Sequence, residues 1–406
     1  MNRRHFLSLF GLSAVGAAGF RYWPDEGVWN SCLEDRLPEE LQRHDVLAAA
    51  WEGLDASLVW DAHVHLVGTG DGDSGIWVNP NMRSMWHPVQ FAQFQFYLNA
   101  SCATHAAGVD AGYVARLAQL MGEFRPGARA MLLAFDYRVD EQGRELQETS
   151  PFHVPNEYAA AVRQARPDIF EWIASVHPYR ADCVERLAWA AAHGARAVKW
   201  LPGAMGIDPA SPLCDRFYEA MRQHAIPLLT HAGEEHAVDV ADSHRLNNPL
   251  LLRRPLEQGV KVIVAHCASI GASADLEQSP SVERPNIELF ARLMDEPRYQ
   301  GLLFGDVAAV PQINRDLETI ALLVKRPDWH PRLINGSDYP LPGVMPLFSL
   351  QRYVDAGWLS ELQAGALSQI RRHNPLLFDF ALKRSLVIDG QRFGAMVFES
   401  GRIFAR

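Results

Sequence analysis

The sequence predicts a single-domain (β/α)8 TIM-type barrel with a long insertion after the first strand and a short C-terminal tail. Three observations carry that expectation. Eight short apolar runs recur along the chain, helix-like segments separate most of them, and metal-ligand side chains stand where several of the runs end. Repeated strand–helix units imply a parallel sheet buried on both faces. Closing eight such strands gathers their ends onto one rim. An open doubly wound sheet is the structural alternative.

The expected strands are Leu58–Leu66, Ala130–Tyr137, Phe170–His177, Ala195–Leu201, Ile226–His231, Val260–His266, Gly301–Val307 and Arg332–Asp338. Each is short and largely apolar, as a strand covered on both sides should be. Between them, helical patterns run over Asp110–Phe124, Pro155–Ala165, Cys183–His193, Leu213–His224, Leu250–Gln258, Ile287–Asp295 and Asp316–Lys325. Several stop just before Gly or Pro.

Two stretches break the repeat. Val67–Val109 carries Trp77, Trp86, Phe91, Phe94, Phe96 and Tyr97. A loop after a barrel strand borders the pocket mouth, so this insertion either lines the pocket or packs a helix onto the barrel. The tail from Leu386 to Arg406 alternates like a hairpin around Asp389-Gly390 and is expected to be peripheral.

The first twenty residues are excluded from the fold. Arg3-Arg4-His5-Phe6-Leu7, followed by a short Gly- and Ala-rich apolar run to Phe20, resembles a twin-arginine export signal. Residues 1–20 are thus expected to be a targeting segment, 21–57 an N-terminal extension, 58–385 the barrel and 386–406 the tail. The expected location is periplasmic. A retained N-terminal anchor, the sole membrane attachment expected, is the alternative.

Hydrophobic residues make up 48% of the 406 and charged residues 21%, enough to bury a large core. A net charge of −10 without a Lys/Arg run argues against nucleic acid as a partner and leaves a small-molecule substrate, with homo-oligomerisation compatible. Five scattered cysteines (Cys32, Cys102, Cys183, Cys214, Cys267) contain no C-x-x-C pair. They read mostly as small buried apolar side chains, with one disulfide compatible with export.

The chemistry lies in five segments: Asp61-Ala62-His63-Val64-His65, Val198-Lys199-Trp200, Leu229-Thr230-His231, Val264-Ala265-His266 and Asn335-Gly336-Ser337-Asp338. With 16 His in the chain, chance alone yields about 0.6 His-x-His pairs, so the pair at 63 and 65 means little by itself. Its position gives it weight. On a strand, residues i and i+2 face one side, so both imidazoles can meet one ion. Imidazole and carboxylate are the ligands of zinc-type ions.

These segments resemble the amidohydrolase superfamily, in particular its amidohydrolase-related branch of hydrolases, decarboxylases and hydratases. The resemblance spans roughly Leu58 to Phe380 and rests on Trp60–Leu66, Ala197–Pro202, Leu228–Gly233, Val262–Cys267 and Ile334–Pro340. It implies that His63, His65 and Asp338 bind a first divalent metal, zinc foremost, and that His231 and His266 bind a second. Unmodified lysine is a poor ligand because its ammonium is cationic near neutral pH. In binuclear members a lysine at the end of strand four is carboxylated and bridges two metals, which makes Lys199 the candidate bridge. In mononuclear members His231 joins the first metal, His266 contacts substrate or water, and Lys199 is an electrostatic residue.

The implied activity is hydrolysis of an ester, lactone or amide-type bond of a small carbonyl substrate. Metal-bound hydroxide would attack, Asp338 would serve as general base and then acid, and Lys199 and His266 would assist. A mononuclear decarboxylase is the rival within the superfamily, and a non-catalytic metal- or ligand-binding protein on the same scaffold is the rival outside it. Ser337 lacks a Gly-x-Ser-x-Gly elbow, which disfavours a serine hydrolase. Asp136, His177, Asp306 and Arg180 are secondary candidates for substrate contact. Glu234, Glu235 and His236 are expected at the rim, and specificity is expected in Val67–Val109 and Pro202–Pro212.

Overall fold

Eight parallel strands form the barrel: β1 (Trp60–His65), β2 (Arg129–Leu133), β3 (Phe170–Ile173), β4 (Val198–Trp200), β5 (Leu228–His231), β6 (Val262–Ala265), β7 (Leu303–Asp306) and β8 (Leu333–Ile334). The computed structural model describes residues 27–33, 36–103, 108–235 and 244–404. The twin-arginine-like segment lies outside the described residues. Ladders join β1 to β2, with one register shift, and β2 to β3, and others run from β4 through β8. Single parallel bridges, Ala174 with Val198 and Tyr339 with Val64, join the two groups. At the second seam Ala62 N–H donates to Asn335 O and His65 N–H to Tyr339 O, so hydrogen bonding runs around the full ring.

The strands are shorter than the apolar runs that announce them. Past Leu133 the chain leaves the ladder, and Phe135 pairs antiparallel with Val154 in an excursion before the next helix. Inside the ring, Ala62, Met131, Leu133, Ile173, Ala197, Leu229, Ile263 and Ile334 pack against one another. A second, larger apolar layer lies between strands and helices. Burying both faces explains why these strands are nearly all apolar.

All seven expected helices form within a few residues of their expected limits, although Leu250–Gln258 becomes a 3-10 turn followed by Arg253–Glu257. The insertion contributes a further helix, Pro88–Ser101, and a two-residue strand, Trp77–Val78, paired with Phe152–His153. Two more helices, Glu361–His373 and Pro375–Ser385, were not anticipated. Ser360 and Gln363 cap the first reciprocally, and Asn374 caps the second ahead of Pro375.

The tail corrects the expectation of a peripheral hairpin. Only Ile388 and Gln391 pair, and two short helices follow, Ala395–Phe398 and Gly401–Phe404. They close the end of the barrel opposite the strand termini. Phe404 joins the interior cluster at 2% exposure. A Cβ on Gly401 would stand 2.9 Å from the Trp60 ring, so only glycine lets the tail pass this closely. Cys32 and Cys102 form a disulfide, while Cys183, Cys214 and Cys267 are free and buried.

Candidate metal centre

Alternation along three strands brings their last residues inward. Ala197 and Leu229 point into the barrel, and Lys199 and His231 follow two residues later. Phe304 leads to Asp306 in the same way. The other three ligand-bearing segments need a break in phase. In β1 the pairing slips between Asp61 and Val64, so His63 and His65 face the mouth although Ala62 already points inward. His266 and Asp338 carry left-handed backbone, with φ of 55° and 61°. Such non-glycine conformations cost about 1–3 kcal/mol each and persist only where surrounding structure enforces them. Here the Asp61 carboxylate accepts both Ser337 N–H (2.8 Å) and His63 N–H (3.2 Å), tying the first strand to the segment that bears Asp338.

All six expected site residues, His63, His65, Lys199, His231, His266 and Asp338, line one cavity of about 400 Å³. Ligand atoms of His63, His266 and Asp338 lie within 4.8 Å of one another. Asp338 Oδ1 is 3.5 Å from His63 Nε2 and 3.0 Å from His65 Nε2, and its Oδ2 is 3.8 Å from His266 Nε2. His231 lies to one side, with Nε2 on Glu234 O (3.3 Å) and Nδ1 near Glu235 Oε2 (3.4 Å).

Outer partners set the tautomers. His63 Nδ1 donates to Asp306 Oδ2 (2.9 Å) and His266 Nδ1 to Ala308 O (2.9 Å). Each ring therefore presents an Nε2 lone pair toward Asp338, the arrangement by which carboxylate and carbonyl partners orient metal-binding imidazoles. Lys199 Nζ donates to His63 Nε2 at 3.1 Å.

Burial lowers the His63, His231 and His266 imidazoles below their ordinary value and lowers the Lys199 ammonium as well. For Asp338 burial acts the other way, but His266, His65 and His63 together hold its carboxyl well below the usual range. Neutral imidazoles around an ionised carboxylate form a donor set that fits a divalent cation.

The secondary candidates divide. Asp306 positions ligands: besides His63 it accepts His266 N–H at 2.7 Å, and it does not line the cavity. Asp136, His177 and Arg180 do not reach the cavity either. Asp136 accepts His177 N–H and pairs with Arg180, which ties the ends of β2 and β3 together. Glu234 and Glu235 do line it, and His236 lies outside the described residues. The insertion lines the cavity through Ile76, Val78, Met82, Gln93, Phe94, Phe96 and Tyr97, whereas Pro202–Pro212 contributes nothing to the wall. Sequence reasoning missed Gln312, Asn314 and Arg315 on the loop after β7. Five apolar residues, Val307 to Pro311, separate them from the end of β7, so the sequence offered no spacing signal for them.

No protein-family model matches the chain, and no curated protein matches it. Similar solved structures include an uncharacterised TIM-barrel protein from Bordetella bronchiseptica, 14% identical, covering 76% of this chain and 93% of that one, with a TM-score of 0.47. A probable 2-pyrone-4,6-dicarboxylic acid hydrolase from Acinetobacter baumannii is 15% identical, with coverages of 75% and 94% and a TM-score of 0.43. A 5-carboxyvanillate decarboxylase from Novosphingobium aromaticivorans, complexed with manganese and a nitrobenzoic acid, is 12% identical, with coverages of 79% and 93% and a TM-score of 0.44.

Proposed function

We propose that the chain is a metal-dependent hydrolase acting on an ester, lactone or amide-type bond of a small carbonyl substrate. The observation that carries this reading is the pair of imidazoles, His63 and His266, each fixed through Nδ1 so that Nε2 faces the Asp338 carboxylate. His63, His65, His266 and Asp338 would hold the ion, with His231 and Lys199 beside them. Zinc is the leading candidate for this nitrogen and oxygen donor set. A divalent ion supplies a field that polarises a carbonyl and acidifies water to a pKa of about 7.

The side chains do the rest. Asp338, ionised and buried, accepts the proton of the attacking water on a carboxylate oxygen and returns it to the leaving group. His65 Nε2 and His63 Nε2 stand on either side of Oδ1 and orient that carboxylate. Lys199, 2% exposed with its ammonium weakened by burial, can take up carbon dioxide as a carbamate or remain an amine donor beside His63. The apolar side chains of the insertion line part of the cavity and lower its polarity. The Cys32–Cys102 disulfide and the Arg3-Arg4 segment support an exported protein.

Decarboxylation is the second reading. Among the described residues a single three-membered ligand cluster is found, which favours one ion, and the cavity wall bears a buried guanidinium suited to a carboxylated substrate. Metal content per chain, measured together with ester or lactone opening and carbon dioxide release, separates the two. Asp338→Asn is expected to lower turnover about 10²–10⁴-fold. Undiminished activity in that variant would refute the role given to Asp338.

A further inference from the structure

The cavity that holds the ligand cluster also holds a buried charge that the hydrolytic reading does not use. Arg315 lines the wall at 7% exposure. Its Nε donates to Ser269 Oγ (2.8 Å), and its Nη1 donates to Gln312 Oε1 (2.8 Å) and Asn314 Oδ1 (3.0 Å). All three acceptors are neutral. Among the described residues no carboxylate lies within ion-pair distance of Arg315, although Asp338, Glu235 and Asp306 favour its charge from farther off, and its hydrogen bonds are made by Nε and Nη1 and none by Nη2. Gln312, 2% exposed on the same wall, gives its oxygen to Arg315 and leaves Nε2 without a partner. Guanidinium only donates, so this contact fixes which end of the amide is which.

A buried cation with no carboxylate in contact and a buried amide without an acceptor are both costly, and a structure keeps them where something else completes them. The loop that bears them is firmly held. Arg352 donates to Gln312 O (3.1 Å) and Arg315 O (2.6 Å), and Tyr353 Oη donates to Pro311 O (2.6 Å). Burial pushes the guanidinium down only to about 10, so it is charged at neutral pH. The rest of the wall is mainly apolar, with Met82, Phe94, Phe96, Phe135, Phe152 and Leu347 facing the space.

We infer that Arg315 Nη2 and Gln312 Nε2 form a carboxylate-binding subsite, and that the substrate is an amphipathic carboxylate whose apolar body lies along the insertion-built wall. The inference rests on the reading of this cavity as the active site and adds the chemical class of its substrate. Two donors on adjacent side chains suit the two oxygens of a carboxylate, and charge-assisted hydrogen bonds in a water-poor cavity are the strong ones.

Calorimetric titration of the full chain tests it, both loaded with manganese and stripped by chelator. The probes are 6-phenylhexanoate, its neutral amide 6-phenylhexanamide, and acetate. The carboxylate with the apolar body is expected to bind at least about tenfold more tightly than either control in both metal states. Arg315→Gln should reduce it to the level of the amide while leaving the amide's own affinity unchanged. Arg315→Lys should keep part of the preference. Gln312→Leu, which retains the charge and guards against misfolding of the arginine variants, should weaken carboxylate binding several-fold. Equal binding of acid and amide would overturn the subsite, as would a preference that survives Arg315→Gln or is unchanged in Gln312→Leu. A preference seen only with manganese present would put the carboxylate on the ion and also overturn it. Failure to bind metal with the preference intact would instead refute the proposed function and leave the subsite standing.

Discussion

Asp306 Oδ2 accepts a hydrogen bond from His63 Nδ1 at 2.9 Å while Oδ1 accepts the backbone N–H of His266 at 2.7 Å. One carboxylate, fully buried and held below the ordinary range against the effect of burial by His63 and its neighbours, thus fixes two imidazole-bearing segments, one on each side of β7. Replacing it with Asn keeps the shape but lets the amide nitrogen face His63 Nδ1–H. Asp306→Asn is expected to weaken metal affinity about 10–100-fold, measured by chelator competition. Unchanged affinity would show that the ligands are oriented without it.

His177 predicts a pH effect remote from the ligands. Its Nε2 donates to Met205 O (3.0 Å) and its Nδ1 accepts Tyr179 N–H (3.2 Å), so it is folded in as neutral imidazole. Burial lowers its pKa to about 3. The unfolded chain therefore binds the proton first as pH falls, and stability is full above about 6.5 and is lost down to about 3. In His177→Gln the slope of unfolding free energy over that window should be shallower by about one proton, roughly 1.4 kcal/mol per pH unit. Parallel slopes in urea titrations at several pH values would contradict the assignment.

The Cys32–Cys102 disulfide spans a sequence separation of 70 and ties the N-terminal extension to the end of helix Pro88–Ser101. Cross-links of this kind restrict the unfolded chain, so Cys32→Ser should cost about 2–4 kcal/mol in denaturant unfolding. Reductant should destabilise the parent by a similar amount and the variant not at all.

Phe404 closes the barrel floor. Its truncation in Phe404→Ala should cost about 3–5 kcal/mol and leave metal affinity unchanged, because the cavity opens at the other end. A surface-like cost below about 0.5 kcal/mol would show that the tail is dispensable.

Local pattern carried much of this architecture. Lys199, His231 and Asp306 follow inward-pointing residues by two, and period-two alternation finds them. The slip in β1 and the left-handed turns at His266 and Asp338 were not legible, because they depend on contacts made only after folding. Asp61, for instance, is an ordinary strand residue until Ser337 arrives from 276 positions away to share its carboxylate. Asp306 stood out by position, but its role as an orienting group needed distances. Arg315 and Gln312 carry no spacing signature, and only burial singles them out. The tail misled because Val397, Phe398, Gly401 and Phe404 suit short helices as well as alternation.

The seam between the first and last strands has a consequence for how the molecule matures. His63 and His65 are made early in synthesis and Asp338 late, and they meet only when Tyr339 docks beside Val64. No shorter nascent chain can assemble this cluster, so a cation bound by it would be retained only once the ring has closed. By mass action a bound ion stabilises the closed ring over every partly zipped state. The cluster thus straddles the seam between the first and last strands, and a cation bound there would report that the ring has closed.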